Sequence, residues 1–336
     1  MRRGPPLPSK TVSPRKRTRL LVALAAVAAA AGAASVALVS ARGEQEPEGP
    51  APPLELGVAL SDGPDATALR AAEQAYDRGD HQAALARFER LLARDPASVP
   101  AAVGAAVAAW PHGTTGRLER IVEEHPRSGV ARLHLGLALY VTGDAGAARA
   151  QWREAERRDP DSPSALRAED LLHPEMPPGR PFFVPEGGRQ DADVAKLPPA
   201  EQLAELERRA EDGAPRDWLL YGAVLQRLGR PVSAKAAYDR ALALDPTSLE
   251  AVTAAAVVRF DKDDPSQAFA GLGPVASANP RSPVVRFHLG LMLLWLRQVR
   301  EARRQLEAAR SAGVATIWGR EAGRLLDRLE SVRTSS

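Results

Sequence analysis

The chain has 336 residues, of which 44% are hydrophobic, and its formal net charge is +3. It contains no cysteine, which excludes disulfides and Cys-ligated metal sites. Seven basic residues and no acidic residue lie in the first 19 positions, so the rest of the chain carries a net charge of −4. Nucleic-acid binding needs a basic surface on the folded part of a protein, and this distribution of charge argues against it.

The amino-terminal segment has the pattern of a membrane anchor. The basic residues are followed by 20 residues without a charge, from Leu20 to Val39. A helix of this length spans about 30 Å, the thickness of the hydrocarbon core of a bilayer. A positive flank is expected to stay in the cytoplasm, which sends the rest of the chain to the outer side of the plasma membrane. We therefore expect a cytoplasmic tail (1–19), a transmembrane helix or uncleaved signal anchor (20–40) and a Pro/Gly-rich linker (41–64).

A cleaved signal peptide is the alternative for the same segment. Val39-Ser40-Ala41 has the small residues of a cleavage site, and cleavage would produce a secreted or periplasmic protein. The long basic leader and the full-length apolar run favour retention of the segment as an anchor.

Beyond the linker, prolines recur with a fixed spacing. His125-Pro126 and Asp159-Pro160 are 34 residues apart, and so are Asp245-Pro246 and Asn279-Pro280. A fixed period of about 20–50 residues indicates stacked repeats, in which each unit buries its apolar face against its neighbours.

The clearest unit contains two helices. Spacings of three and four residues place one set of side chains on a single face of a first helix: Trp218, Tyr221, Gly222 and Leu225. A second helix is marked in the same way by Ala234, Tyr238 and Ala241. The small residues Gly222 and Ala234 allow the two backbones to approach closely, and Pro246 ends the unit.

This pattern resembles the tetratricopeptide repeat, a helical hairpin that reads W-x2-L-G-x2-Y, then A-x3-F, then P. Other segments follow it in whole or in part, and their landmark residues are Gly79, Phe88, Leu135-Gly136, Trp152, Leu272, Pro280 and Leu289-Gly290. The segment 98–126 is shorter than the others, which predicts a compressed hairpin. The resemblance implies an all-α solenoid of about six hairpins in two blocks of three, in addition to the isolated transmembrane helix. Block 1 is predicted at 65–172, and block 2, with a carboxyl-terminal capping helix, at 201–330, followed by a disordered tail at 331–336.

The two blocks also resemble each other. Residues 126–136 and 280–290, which are 154 residues apart, share Pro-Arg-Ser, a later Arg, a His and a Leu-Gly pair. The repeat pattern alone explains the Leu-Gly pairs. A duplicated block also explains the shared Arg-Ser and the shared histidines, His134 and His288, for which we expect a place at the edge of a helix interface.

A proline-rich insertion, predicted at 173–200, separates the blocks. Its seven prolines and Gly187-Gly188 exclude a continuous helix. Burial of a phenylalanine is favourable by ~1.5–3 kcal/mol, so the cluster Phe182-Phe183-Val184 predicts that the insertion docks on the solenoid. The alternative is a flexible spacer.

The chain lacks the residue patterns of an enzyme. None of its six histidines is spaced as HExxH or His-x3-His, and there is no GxSxG and no GK[ST] loop. We expect no catalytic residues, no metal, no cofactor and no small-molecule substrate.

The resemblance does predict a partner-binding groove. In tetratricopeptide superhelices, the first helix of each hairpin lines a concave face that holds the partner. Carried over unit by unit, this role falls on Leu69, Glu73, Tyr76, Leu133, Leu137, Tyr140, Leu219, Ala223, Gln226, Thr253, Val257, Phe260, Phe287, Leu291, Leu294 and Trp295. Such a surface suits an apolar helix or an extended segment of a protein or peptide partner. The alternative is that these residues form ordinary core between repeats, or are covered by the Phe182-Phe183 segment.

Together these features predict a membrane-anchored protein-interaction scaffold, from a GC-rich bacterial genome by its Gly/Ala/Arg/Pro usage. The alternatives are a secreted or periplasmic binding module whose signal peptide is cleaved, and an accessory subunit of an envelope biogenesis complex of the cytochrome c maturation type.

Overall fold

The computed structural model describes residues 50–57, 64–186, 193–197 and 199–334. These residues form 15 α-helices and one short 3₁₀ helix, with no strand among them. This all-helical solenoid confirms the predicted fold class for the part of the chain that is described. The predicted transmembrane helix at 20–40 lies outside it, and no helix within it is long and apolar enough to cross a membrane.

The helices follow one another as hairpins. Block 1 consists of α1 (Pro64–Asp77), α2 (His81–Arg94), α3 (Val99–Ala108), α4 (Thr114–Glu124), α5 (Gly129–Val141), α6 (Ala145–Arg158) and α7 (Pro163–Leu172). Block 2 consists of α8 (Pro199–Asp212), α9 (Pro215–Arg227), α10 (Pro231–Leu244), α11 (Leu249–Val257), α12 (Ser266–Ala278), α13 (Pro283–Trp295), α14 (Val299–Ala312) and α15 (Ile317–Thr334). The 3₁₀ helix, Val194–Lys196, precedes α8 and contacts it.

Three hairpins stack in each block. The pairs are α1 with α2, α3 with α4 and α5 with α6 in block 1, then α9 with α10, α11 with α12 and α13 with α14 in block 2. Helix α7 packs on the last hairpin of block 1, and α15 packs on the last hairpin of block 2. Helix α15 continues to Thr334, so residues 331–334, predicted as part of a disordered tail, extend the helix instead. Helix α4 has 11 residues, whereas the other second helices have 13 or 14, which agrees with the predicted compressed hairpin.

Local signals explain where the helices begin and turn. The side chains of Asp80, Ser128 and Asp144 each accept the N–H three residues on, which satisfies one of the free donors of a helix start. The turn after α5 uses Gly143 at φ 93°, a left-handed conformation that suits glycine. Arg297, 154 residues later, adopts φ 57° at the matching turn of block 2.

Close helix packing within a hairpin depends on one glycine. A Cβ atom added to Gly222 in α9 would lie 2.5 Å from Cε1 of Tyr238 in α10. Because no real Cβ atom approaches a ring carbon so closely, the tyrosine ring lies against the backbone of α9 only if residue 222 has no side chain. Between neighbouring hairpins of block 1, Gly104 in α3 is equally close to Phe88 in α2, where the added atom would also lie 2.5 Å from the ring.

We expect Gly222→Ala to lower the free energy of unfolding by about 1–3 kcal/mol, because the new methyl group overpacks this interface. The matched control is Gly116→Ala in α4, where nothing lies within 4 Å of the added atom. That change is expected to be neutral or to stabilise by up to ~1 kcal/mol, since alanine favours a helix. Urea unfolding followed by circular dichroism measures both. Equal destabilisation by the two variants would contradict the packing argument.

The junction of the two blocks is a network of charged side chains, some of them buried. The side chain of Lys262, in the loop between α11 and α12, is fully buried and binds the carboxylate of Asp170 at the end of α7. Its ammonium group also donates to the carbonyl oxygen of Pro177 in the insertion, at 3.0 Å. Arg180 donates to Glu169 at 2.8 Å and to Asp261 at 3.1 Å. The network therefore joins α7, the first part of the insertion and block 2.

Candidate functional site

Each block holds a non-helical segment of its own chain. Residues 51–57, named strap 1, lie on block 1, and residues 180–186, named strap 2, lie on block 2. Every second residue of each strap is buried: Pro52, Leu54 and Leu56 in strap 1, and Pro181, Phe183 and Pro185 in strap 2. A period of two is that of an extended chain with one side against the protein.

A buried histidine in each block accepts a hydrogen bond from the backbone of the strap. The N–H of Glu55 donates to Nε2 of His134 at 3.1 Å, and the N–H of Val184 donates to Nε2 of His288 at 2.9 Å. Nδ1 of each ring lies 2.7 Å from the carbonyl oxygen four residues earlier in the same helix, so Nδ1 carries the proton and Nε2 is the acceptor. Burial lowers the pKa of both rings to about 4, which keeps them neutral at pH 7.

A second contact sets the register of the straps. The hydroxyl of Tyr76 in α1 donates to the carbonyl oxygen of Pro52 at 2.6 Å. In block 2, Nε2 of Gln226 in α9 donates to the carbonyl oxygen of Pro181 at 3.2 Å. In each strap the residue that donates to the histidine comes three positions after this proline. Both straps are therefore held by the same backbone atoms in the same register.

Strap 2 adds an aromatic contact. The ring of Phe183 stacks on His288 with centroids 4.9 Å apart and meets Tyr238 edge-on at 5.5 Å. Phe183 is 2% exposed, whereas the neighbouring Phe182 is 44% exposed. The insertion docks as predicted, but through one ring of the pair, because consecutive side chains of an extended segment point to opposite sides.

The backbone of the insertion makes further hydrogen bonds. Trp318 in α15 donates to the carbonyl oxygen of Val184 at 2.7 Å, and Trp295 in α13 donates to that of Gly179 at 2.8 Å. Oε1 of Gln226 accepts the N–H of Phe183 at 3.0 Å. These contacts use carbonyl oxygens, which every residue offers, and an N–H, which every residue except proline offers, so they tolerate changes of side chain.

The side chains that hydrogen-bond the straps lie on first helices of the hairpins and on the capping helices. We name the surface formed by α1, α3, α5 and α7 in block 1, and by α9, α11, α13 and α15 in block 2, the inner face of each block. Of the sixteen residues predicted to line a partner groove, thirteen are buried, and Glu73, Tyr140 and Gln226 are half-buried. Tyr76, Gln226 and Trp295 bind the straps or the adjoining insertion as described, and Glu73 accepts the N–H of Leu56 at 2.9 Å.

The remaining predicted groove residues lie mainly in the packed core. Leu69 belongs to the core of block 1, Leu133 and Leu137 pack beside Trp152, and Ala223 and Thr253 are buried in block 2. The core of block 2 includes Leu219, Val257, Phe260, Phe287, Leu291 and Leu294. Binding of a partner by these sixteen residues stays a prediction. The structure adds that the straps and the adjoining insertion hydrogen-bond four of them. Covering by a segment of the chain was one of the alternatives that the sequence left open.

Two functional features were missed by sequence reasoning. Strap 1 was included in the predicted linker at 41–64, and the two histidines were expected at the edge of a helix interface, without a segment that they hold. A signal for the straps was present: Pro52-x-Leu54 and Pro181-x-Phe183 place a proline and an apolar residue in the same order, 129 positions apart.

A small cavity lies beside strap 2. Its volume is about 140 Å³, and its lining includes Phe182, Val184, Leu220, Val224 and Ile317. Strap 2 therefore leaves part of the apolar surface next to it unfilled.

A separate cleft of about 290 Å³ lies at the junction of the blocks and is lined by arginines and carboxylates. Burial, together with repulsion from Glu169, raises the pKa of Glu156 in this cleft to about 7. No group of residues in the described ranges is arranged to hold a metal ion. One titrating carboxyl among arginines does not amount to a catalytic set.

Two segments of the chain match family models of the tetratricopeptide repeat. They are residues 66–98, which contain most of α1 and all of α2, and residues 215–258, which contain α9, α10 and α11. The chain therefore carries tetratricopeptide repeats. No curated protein matches it.

Several solved structures are similar over much of the chain. Yeast Tom70 is 14% identical, with 80% of this chain and 54% of that chain covered and a TM-score of 0.30. A tetratricopeptide repeat protein from Parabacteroides merdae is 12% identical, with 79% and 98% covered and a TM-score of 0.33. A thermophilic TPR protein in Thermus thermophilus is 20% identical, with 58% and 98% covered and a TM-score of 0.28. The chain thus spans about half the length of the yeast protein.

Proposed function

We propose that this protein is a membrane-anchored interaction scaffold whose inner faces hold an extended segment or an apolar helix of a partner protein. Tetratricopeptide repeats form protein-interaction modules, and two such matches lie in the chain. The observation that carries the proposal is that both inner faces already hold an extended segment through its backbone, with a buried histidine as acceptor. A surface built in this way has the chemistry of a peptide receptor.

The location rests on the sequence of the amino terminus. A basic leader followed by 20 uncharged residues supports a single membrane span, with the repeats on the outer side of the plasma membrane. Mass spectrometry of the protein extracted from cells tests this part. The mass of the full-length chain supports the anchor, and the mass of a chain that begins near Ala41 supports the secreted or periplasmic alternative. We propose no enzymatic activity and no cofactor.

Partner binding is tested by site-specific cross-linking in intact cells. A photoreactive phenylalanine derivative replaces Phe182, which is 44% exposed within strap 2, or, as a control, Val232, which is 50% exposed at the start of α10. We expect one defined protein to be cross-linked from position 182 and not from position 232, since α10 is a second helix and lies outside the inner face.

Identification of the captured protein decides the narrower role. A haem-handling partner would assign the accessory role in cytochrome c maturation. Absence of any protein adduct from position 182 in the native cells would contradict the scaffold.

A further inference from the structure

We propose that strap 2 is a tethered competitor for a partner peptide, and that the inner face of block 2 binds in its place an extended segment of the pattern Pro-x-apolar-x-Pro or Pro-x-apolar-x-apolar. His288 accepts the backbone N–H of the fourth residue of that peptide. This inference rests on the proposed function and specifies the chemistry of its partner.

The two straps differ in sequence but dock on their blocks in the same way. Strap 1 presents Pro52, Leu54 and Leu56 to block 1, and strap 2 presents Pro181, Phe183 and Pro185 to block 2. The residue between the last two is Glu55 in strap 1 and Val184 in strap 2, yet its N–H meets the equivalent histidine in both. The inner face therefore selects a proline, an apolar side chain two residues later and a backbone donor after that. The side chains at the alternate positions differ between the straps, and that of Glu55 pairs with Arg167 of α7 at 3.0 Å.

Strap 2 is placed so that it can leave. Among the described residues, 173–179 before it are not helical, and 193–197 after it contain only one turn of 3₁₀ helix. Its departure therefore unwinds no described α-helix. The 140 Å³ cavity shows that strap 2 does not fill the surface on which it lies.

The tether sets the threshold for exchange. Arg180 is paired with Glu169 and Asp261, so the end of strap 2 stays near the inner face even when its apolar residues are displaced. A short tether gives strap 2 an effective concentration on the order of millimolar at the inner face. A free peptide displaces it only at a higher concentration or through tighter contacts.

The inner face also disfavours remaining empty. Without strap 2, Nε2 of His288 and the side chains of Gln226 and Trp318 lose the backbone groups with which they are paired. Release of strap 2 lets water reach these groups, but it also exposes the apolar surface that Phe183 covers, so replacement by another extended chain is favoured over simple release. A peptide with proline at the fourth position is rejected because it has no N–H to donate.

The test uses the full chain in mild detergent and a fluorescent peptide with the sequence of residues 180–186, Arg-Pro-Phe-Phe-Val-Pro-Glu. Fluorescence anisotropy measures its binding to the wild type, to Phe183→Ala, which weakens strap 2, and to Phe182→Ala, which changes the exposed neighbour. We expect Phe183→Ala to bind the peptide about tenfold or more tightly than the wild type does, and Phe182→Ala to behave as the wild type.

A second peptide, N-methylated at the valine, isolates the role of the histidine. It keeps every side chain but lacks the N–H that His288 accepts, and we expect it to bind about tenfold more weakly or worse. In the Phe183→Ala background, His288→Gln keeps an acceptor and is expected to retain binding, whereas His288→Leu is expected to lose it. Equal binding of the two peptides would overturn the proposal. If Phe183→Ala loses its helical circular dichroism signal, the two peptides are compared on the wild type at millimolar concentration, with the same criteria.

Other outcomes separate this inference from the proposed function. Concentration-dependent dimers of the wild type that Phe183→Ala abolishes would assign the inner face to strap 2 of a second copy and would overturn the inference. Cross-linking of a partner from position 182 in cells, with a yield of cross-linked product that His288→Leu leaves unchanged, would also overturn the inference, while the scaffold function would stand. Failure to capture any partner would instead count against the scaffold itself.

Discussion

Replacing Phe183 with alanine is expected to lower the free energy of unfolding by about 3 kcal/mol, whereas replacing Phe182 with alanine is expected to change it by less than about 0.5 kcal/mol. The two side chains are adjacent and identical, but Phe183 is 2% exposed and Phe182 is 44% exposed. Truncation of Phe183 removes its contacts with His288 and Tyr238 and leaves a void between them. Undocking of strap 2 relieves part of this void, which places the loss at the lower end of the usual range of about 3–5 kcal/mol.

Urea unfolding of both variants, followed by circular dichroism, measures this difference. Limited proteolysis supplies a second measurement, because an undocked strap 2 is expected to be cleaved within the insertion before the helices are. Equal and small effects of the two variants would mean that the insertion is only a spacer, as the alternative from the sequence held.

The two buried histidines are expected to make the protein sensitive to acid. The folded-state pKa of His134 and His288 is about 4, below the value of 6.5 for an ordinary histidine. Between these values the unfolded chain binds more protons than the folded protein, so stability falls as the pH is lowered through this window and levels off below about pH 4. Each histidine is expected to contribute about 3 kcal/mol to this loss, and the two together about 6 kcal/mol.

The physical reason lies in the straps as well as in burial. A protonated imidazole carries a proton on both nitrogens, so Nε2 no longer accepts the N–H of Glu55 or Val184, and two donors then face each other. Loss of strap docking is therefore expected in the same pH range as the loss of stability.

The measurement is the free energy of unfolding from pH 7.5 to pH 4 for the wild type and for the double variant His134→Gln/His288→Gln, which keeps two acceptors that do not titrate. Carboxyl groups contribute equally to both proteins; Glu156, whose pKa is raised to about 7, acts in the opposite direction and cancels in the difference. We expect the wild type to lose about 6 kcal/mol more than the double variant over this range, and each single variant to remove about half of that difference. Parallel curves for the two proteins would show that the histidines are not held in neutral form.

Much of the fold could be predicted because helical hairpins are local. Gly222, Tyr238 and Pro246 lie within one repeat, and their spacing alone indicates two helices that approach closely and then end. The site was harder to predict from the sequence. His134 receives its hydrogen bond from a residue 79 positions away, and His288 from one 104 positions away. The donor in each case is a backbone N–H, which is common to all residues except proline and carries no signature in the sequence.

The sequence by itself determined the class of protein: a 34-residue spacing of prolines and paired faces of small and large residues require hairpins that bury their apolar sides against one another. It also determined that the insertion is not a continuous helix and that burial of its phenylalanines is favourable. The tertiary structure alone decided which phenylalanine is buried, because that choice follows from the register in which His288 and Gln226 hold the backbone of strap 2. The tertiary structure likewise decided that strap 1, which has the composition of a linker, lies on the inner face of block 1. Contacts between distant segments depend on where the solenoid places its inner face, and local periodicity does not contain that information.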